Sequence, residues 1–387
     1  DYRERSMPLW NYYHLTTGKR TRASLGSTKK DIAMLFIYTC IDRYLIERGK
    51  FGFLVTQTVF KSTAGESFRK FQLPSGIPFK VIKVHDLVEL LPFEGARNRT
   101  AIILCVKGEE TSYPVPYILW KGPPINQETS LEEVLKLTSR IVLEARPLGR
   151  RTGPWATISP NAHKALKKAI GSSPYRAYAG VYVGLNAAYW IKILDNLPDG
   201  ILLIENITER SRRRVRKIRT RIESFLVYPL LRGRDVERWN AISEIYIVLP
   251  VDKHGKTIPI TELKIYFPRT YEFFNEFFNQ LITRKGQPYK SQLKIWREKK
   301  RELAEKIAPP FYIVSNAKPS LAPYKVLWRE QAGGLTAAVI GPVKDKYLGE
   351  RVIIPNHKLM LVPLDNEDEA HFICAILNSS IARSIAR

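Results

Sequence analysis

The chain has 387 residues, 44% hydrophobic and 26% charged, and 62 lysines and arginines against 37 acids leave a net charge of +25. That composition excludes a disordered chain, its length predicts two domains, and its charge predicts a nucleic-acid partner. No run nears the ~20 apolar residues of a membrane span, and Asp1-Tyr2-Arg3-Glu4-Arg5 has no apolar stretch behind it to read as a signal peptide. Cys40, Cys105 and Cys374 lie too far apart for a disulfide framework or a cysteine zinc site, so a reducing cytoplasm is expected.

Residues 1–25 are aromatic and basic, with Trp10, Tyr12, Tyr13 and Lys19-Arg20-Thr21-Arg22. A helix is predicted next. Thr28 can cap it, Asp31 sits near its positive end, and Ile32, Leu35, Phe36, Cys40, Ile41, Tyr44 and Leu45 repeat at helical spacing before Gly49. Phe51–Phe60 reads as a strand buried on both faces, Gly65–Phe71 as a helix, and Val81–Val84 and Ala101–Val106 as two more strands. Helices alternating with strands predict an α/β layer with a parallel-type sheet. Ser112–Pro124, rich in proline and aromatics, reads as a connector, and Ser130-x-x-Glu133 is a capping box opening a helix to about Ala145. Gly149–Pro160 reads as loop. Beyond about 165 the texture turns to short β-type runs, basic stretches and aromatic clusters, which places a domain boundary within 125–165.

The stretch Phe93-Glu94-Gly95-Ala96-Arg97-Asn98-Arg99-Thr100 puts an aromatic at the tip of a turn, followed by a Gly- and Arg-containing loop that feeds a strand. Such a turn can hold a flat, unstacked ring over a basic cleft, as enzymes acting on an extruded base require. The plain alternative is a core phenylalanine at a strand end. The run Arg210, Arg212, Arg213, Arg214, Arg216, Lys217, Arg219 and Arg221 has one adjoining acid, Glu209. It reads either as a DNA-facing loop, since guanidinium forks suit phosphates and guanine edges, or as a solvated face. The basic segments Arg284–Lys290, with Lys285 and Lys290, and Lys294–Arg301 read as backbone contacts to DNA. A helix is predicted from about Gln292 to Ile307, and a core helix packing Phe274, Phe277 and Phe278 from Tyr271–Phe278. Asp252 with Glu262-Leu263-Lys264 imitates a metal-nuclease pattern in a short and common form, and the six histidines lack zinc spacing.

Several segments, in order, resemble the gamma-class amino-methyltransferases of DNA. The likeness is greatest to type IIG restriction–modification enzymes, which join nuclease, N6-adenine methyltransferase and target recognition in one chain. They are Leu9-Trp10-Asn11-Tyr12-Tyr13, Lys30–Phe36, Gly49–Ser62, Gly65–Phe71 and the Phe93–Thr100 turn. Further along, Ala179–Trp190 is similar to the start of the family's recognition domain, with Val183 where threonine is usual. Tyr228-Pro229-Leu230-Leu231-Arg232-Gly233-Arg234-Asp235-Val236-Glu237-Arg238-Trp239 is similar to its arginine-rich motif, and Ile376-Leu377-Asn378-Ser379 to a helix near its end.

The resemblance implies a partial Rossmann-like methyltransferase sheet followed by a mixed α+β target-recognition domain. The implied domains are the C-terminal half of the catalytic domain at 1–125, a helical connector at 126–165, and the recognition domain at 166–387. It implies that Phe93 stacks on a flipped adenine. It also implies DNA contacts from Arg97, Arg99, Arg210, Arg212, Arg213, Arg214, Arg216, Arg219, Arg232, Arg234, Lys285 and Lys290. The family's N-P-P-aromatic tetrapeptide and Gly-rich cofactor turn are missing, and Ala308-Pro309-Pro310-Phe311 is a near miss whose alanine cannot accept the amino hydrogen bond. Family order puts both motifs upstream of residue 1. Double-stranded DNA and the upstream half of the methyltransferase are then the expected partners, and S-adenosylmethionine is bound mostly by that other half. Alone, the chain is expected to be inactive. The alternative is a non-catalytic DNA-specificity subunit.

Overall fold

A computed structural model describes residues 2–16, 31–93, 99–126, 128–162, 171–209, 211, 213, 215–286, 289–330 and 334–385. It is a mixed α/β protein that divides into two compact units, Asp1–Gly171 and Ser172–Arg387.

The first unit is built on six strands: β1 (Lys50–Thr56), β2 (Phe79–Asp86), β3 (Thr100–Lys107), β4 (Val115–Lys121), β5 (Ser139–Pro147) and β6 (Trp155–Ile158), in spatial order β1-β3-β2-β4-β5-β6. The sheet is mixed, not parallel. β3 runs antiparallel between β1 and β2, β2 and β4 are parallel, and β5 and β6 continue antiparallel. Hence β1, β2 and β4 end on one edge. Thr56 lies opposite Thr100, Asp86 opposite Ala101, and Asp86 beside Leu119.

Several expected elements change character. Ser130 caps its helix through the Glu133 amide at 3.2 Å, but the helix stops at Leu137. The apolar Ile141-Val142-Leu143 that follows belongs to β5, paired with the supposed connector, now β4. The run from Phe51 breaks at Gln57, and Thr58–Lys61 is a single helical turn. The Gly65–Phe71 helix is two short 3-10 turns, because Arg69 turns inward, 1% exposed, to donate to the Val59 and Thr152 carbonyls at 2.7 and 2.9 Å.

The helix Ile32–Tyr44 is capped by Asp31, whose carboxylate accepts the Ala33 amide at 3.0 Å; Thr28 lies outside the described residues. It ends before Gly49 because buried Lys107 reaches the Asp42 and Leu45 carbonyls at 3.0 and 2.8 Å, a cation at the negative helix end. Aromatic contacts hold the core together. Phe60 stacks on Trp155 at 4.8 Å, and Tyr38 meets Phe68 and Phe79. Such pairs are each worth about 0.5–1.5 kcal/mol beyond their area.

The second unit carries β7 (Tyr178–Ala179), β8 (Trp190–Leu197), β9 (Ile201–Asn206), β10 (Arg219–Glu223), β11 (Val227–Leu231) and β12 (Ile245–Val248). After a helical stretch come β13 (Tyr324–Arg329), β14 (Ala337–Ile340), β15 (Val343–Asp345), β16 (Gly349–Arg351), β17 (Ile354–Pro355) and β18 (Leu359–Leu364). They form sheets β10-β9-β8-β12-β11-β17 and β14-β13-β18-β7, plus the hairpin β15-β16. Helices between 260 and 307 cover the larger sheet with Phe273, Phe274, Phe277 and Leu281 buried; the single helix expected over Tyr271–Phe278 ends at Asn275, Phe277 lies in the turn that follows, and Phe278, half-buried, opens the next helix. The predicted 292–307 helix is instead three short ones, Tyr289–Gln292, Lys294–Glu298 and Arg301–Ile307. The helix Glu367–Asn378 packs Ala370, Ile373 and Cys374 on the smaller sheet.

Candidate nucleic-acid interface

In the first unit the strand ends of β1, β2 and β4 gather polar side chains on the same edge that carries the Phe93 turn. A bulge in β2 decides this. Val81 opposes Cys105 while Lys83 opposes Leu104, so Ile82 is the extra residue and the inward phase shifts from Phe79 and Val81 to Val84 and Asp86. Asp86 is thereby buried, 1% exposed. Its Oδ2 accepts the Tyr117 hydroxyl at 2.6 Å and the Gln57 side-chain amide, and its Oδ1 accepts the Val88 amide at 3.0 Å. With these three donors Asp86 ties Gln57, Tyr117 and the start of the following turn together. Burial and the Asp86 charge push the Tyr117 phenol far up, so it stays a donor.

Asp86 also starts the turn that presents Phe93. Leu90 donates to Leu87 at 3.0 Å, Ile125 donates to the Leu90 carbonyl at 2.9 Å, and Leu91 is held left-handed at φ 42°. A leucine there is unusual and strained, the kind of outlier that concentrates at functional sites. Phe93 follows, 39% exposed as a residue instead of buried in the core. Across the edge Gln57 donates its backbone amide to Arg99 at 2.7 Å, and Arg99 itself is exposed. Lys61, on the turn after β1, donates to Thr157 at 3.1 Å; burial pulls its pKa down to about 8, opposed by Asp86 and helped by Arg99. The edge therefore combines an exposed flat ring with two cations. Gln57, Lys61, Asp86 and Tyr117 were missed from sequence; the polar Thr56-Gln57-Thr58 closing an apolar run was the available signal.

In the second unit the basic residues separate into exposed and committed ones. Arg219 and Arg221 alternate on edge strand β10 and are both exposed, while Ile222 between them and Glu223 is buried. Arg216 is 81% exposed with Glu276 at 3.9 Å, and Arg234, Lys285 and Lys290 are exposed. Arg213 instead bonds backbone, donating to the Thr283 and Gln280 carbonyls at 2.8 and 3.3 Å. Arg232 is forked onto Asp235 at 2.7 and 2.8 Å and onto Glu244 at 2.8 Å, with its side chain 13% exposed, which makes it a brace for the Gly233–Asp235 turn. Arg284 is buried too. It donates to the Leu281, Ile313 and Phe311 carbonyls at 3.0, 3.0 and 2.7 Å and lies 4.1 Å over the Tyr289 ring, so the basic segment it opens is not wholly solvent-facing. Arg97, Arg210, Arg212 and Arg214 lie outside the described residues.

Two sequence motifs meet in this unit. Asn378 donates to the Ala337 carbonyl at 2.8 Å and accepts its amide at 2.9 Å; Trp239 donates to the same carbonyl at 2.9 Å, and Arg238 reaches the Asn378 carbonyl at 3.0 Å. Gly180 is required by close approach, since a Cβ there would lie 2.4 Å from the Pro355 and Asn356 carbonyl oxygens. Asp252 is a turn residue accepting the His254 and Lys256 amides at 2.9 Å, and Leu263 is core; no cluster able to hold a metal occurs among the described residues. Nor is any helix among them long and apolar enough to cross a membrane.

No protein-family profile and no curated protein matches the chain. Among solved structures it is similar to the type IIL restriction–modification enzyme MmeI in complex with DNA, at 10% identity and a TM-score of 0.49 over 96% of this chain and 40% of that one. It is also similar to the type IIG restriction endonuclease BpuSI, at 10% identity and a TM-score of 0.26 over 99% of this chain and 41% of that one. A third similarity is to DrdV in a DNA complex, at 14% identity and a TM-score of 0.38 over 99% of this chain and 37% of that one. The chain thus spans about 40% of the length of these proteins.

Proposed function

We propose that this chain is the base-handling and target-recognising part of a DNA adenine-N6 methyltransferase of restriction–modification type. The observation that carries the reading is Phe93: an aromatic residue 39% exposed, on a turn with a left-handed leucine, at the edge where β1, β2 and β4 end. Ligands of open α/β sheets bind outside the carboxyl ends of such strands. An adenine turned out of the duplex stacks on Phe93, while Arg99 and Lys61 attract the flanking phosphates. In the second unit Arg216, Arg219, Arg221, Arg234, Lys285 and Lys290 contact duplex DNA, joined by the arginines of 210–214. The ordered motifs between Leu9 and Ser379 support the family reading.

S-adenosylmethionine would supply the methyl group. No residue of this chain is assigned to it, because the 387 residues hold neither the Gly-rich cofactor turn nor the N-P-P-aromatic tetrapeptide. Those contacts, and the acceptors that orient the adenine amino group, belong to the other half of the catalytic module as its partner. The second reading is a specificity subunit that binds DNA without flipping a base. Fluorescence of 2-aminopurine at the target position separates the two. Bright, unstacked signal with Phe93→Ala, against a quenched signal with the native ring, supports stacking; an identical signal from both in a complex that flips the base rejects Phe93.

A further inference from the structure

The second unit holds a cavity of about 540 Å³ lined by Ala179, Tyr182, Ser315, Asn316, Glu330, His357 and Lys358, well removed in sequence from the arginine run. One wall is aromatic. Tyr182 stacks on Tyr289 at 5.3 Å and 24° and meets the His357 ring edge-on at 4.9 Å, and its backbone pairs with Ser315 in both directions at 3.1 Å. The other wall is polar but nearly neutral, since Lys358 and Glu330 face each other at 3.9 Å. Asn316 is held left-handed at φ 61° on the lining, and the buried Nδ1 of His357 has no hydrogen-bond partner among the described residues. Burial and the adjacent Lys358 keep that imidazole uncharged near neutrality.

We propose that this cavity binds a nucleobase, stacked on Tyr182 with its edge read by Asn316 and Glu330. Three features select that chemistry. The aromatic wall takes a planar ring. A carboxamide presents donor and acceptor side by side, as base edges demand. The Glu330–Lys358 pairing leaves no net charge to draw an ion in preference to a neutral heterocycle. The volume lies in the range of small-ligand sites, ~300–1,000 Å³. Under the DNA-binding reading, on which the choice of DNA as source rests, the occupant is a base displaced from the stack at or beside the target; a free nucleotide would share the same contacts.

The test measures binding of the chain to three probes: a fully paired duplex, the same duplex with one extrahelical base, and the four free nucleosides. The expected result is at least fivefold tighter binding of the extrahelical duplex, with that preference lost in Asn316→Gly and Glu330→Gln while the paired duplex is bound as before. Asn316→Gly suits the left-handed backbone, and unchanged circular dichroism melting shows that each variant folds. Nucleosides bound without any preference for the extrahelical base would assign the same pocket to free nucleotides. Nucleoside binding with no affinity for any duplex would keep the pocket and reject the DNA reading. Retained duplex binding with neither preference nor nucleoside binding, or a preference unaltered in both variants, overturns the pocket and leaves the DNA reading standing.

Discussion

The phenol of Tyr117, in the middle of β4, donates to Asp86 Oδ2 at 2.6 Å at the end of the neighbouring parallel strand, tying the two strands together where the chain leaves β2. With the Gln57 amide on the same oxygen and the Val88 amide on the other, Asp86 locks the chain as it leaves β2. Tyr117→Phe removes one donor from a buried carboxylate and is expected to lower stability by about 1–3 kcal/mol. Urea unfolding checks this, and an unchanged midpoint would show that the network does not hold the edge.

Lys325 makes a different prediction. It is fully buried on β13, its ammonium donates to the Ala322 carbonyl, and burial pulls its pKa down to about 7. The unfolded chain binds this proton up to the ordinary lysine range, so between about 7 and 10.5 the unfolded state carries more protons and stability rises with pH. Lys325→Met is therefore expected to stabilise, by about 1–3 kcal/mol at pH 7 and below. The gain should shrink as pH rises toward 10.5. Denaturant titrations at pH 6.5, 8 and 9.5 test it; a pH-independent difference contradicts the assignment.

Asn378 links the end of a long helix to the strand that also holds Trp239. Asn378→Ala strips two hydrogen bonds from the Ala337 backbone; its amide loses the Asn378 acceptor, while its carbonyl keeps the Trp239 amide. A loss of about 1–3 kcal/mol is expected, the cost of one unsatisfied buried group. Asn378→Asp, which sets a second oxygen against the Ala337 carbonyl, should cost at least as much. A loss with Asn378→Ala alone, the isosteric Asn378→Asp being as stable as the native chain, would mean that the side chain merely fills space.

Much of the fold could be read from the sequence where one residue type repeats at one spacing. Ile32–Tyr44 is the expected helix, yet of the positions read at helical spacing only Leu35 and Ile41 are buried, while Ile32, Phe36 and Tyr44 are exposed and Met34, Ile37 and Tyr38 form the core face; Phe274 and Phe277 are core as expected. Ile141-Val142-Leu143 misled because an apolar run fits helix and strand alike, and only pairing with Val115–Lys121 decides for the strand. Asp86 was hidden for a related reason. Strict alternation from Phe79 would turn it outward, and a bulge at Ile82 reverses the phase. Charge was legible as composition but not as role. Arg232 and Arg284 look like Arg219 in sequence, yet carbonyls and carboxylates claim the first two while Arg219 stays exposed on an edge strand.

The central claim is that the second unit grips duplex DNA through its exposed arginines, and the salt dependence of binding tests it most directly. Affinity of the chain for a duplex should fall linearly with the logarithm of salt, by ~0.9 per phosphate contacted. Changing Arg216, Arg219 and Arg221 together to alanine should weaken binding and flatten the slope by about 2–3, as the loss of that many phosphate contacts requires. Binding that is absent, or that keeps the same slope in the triple variant, would contradict the account.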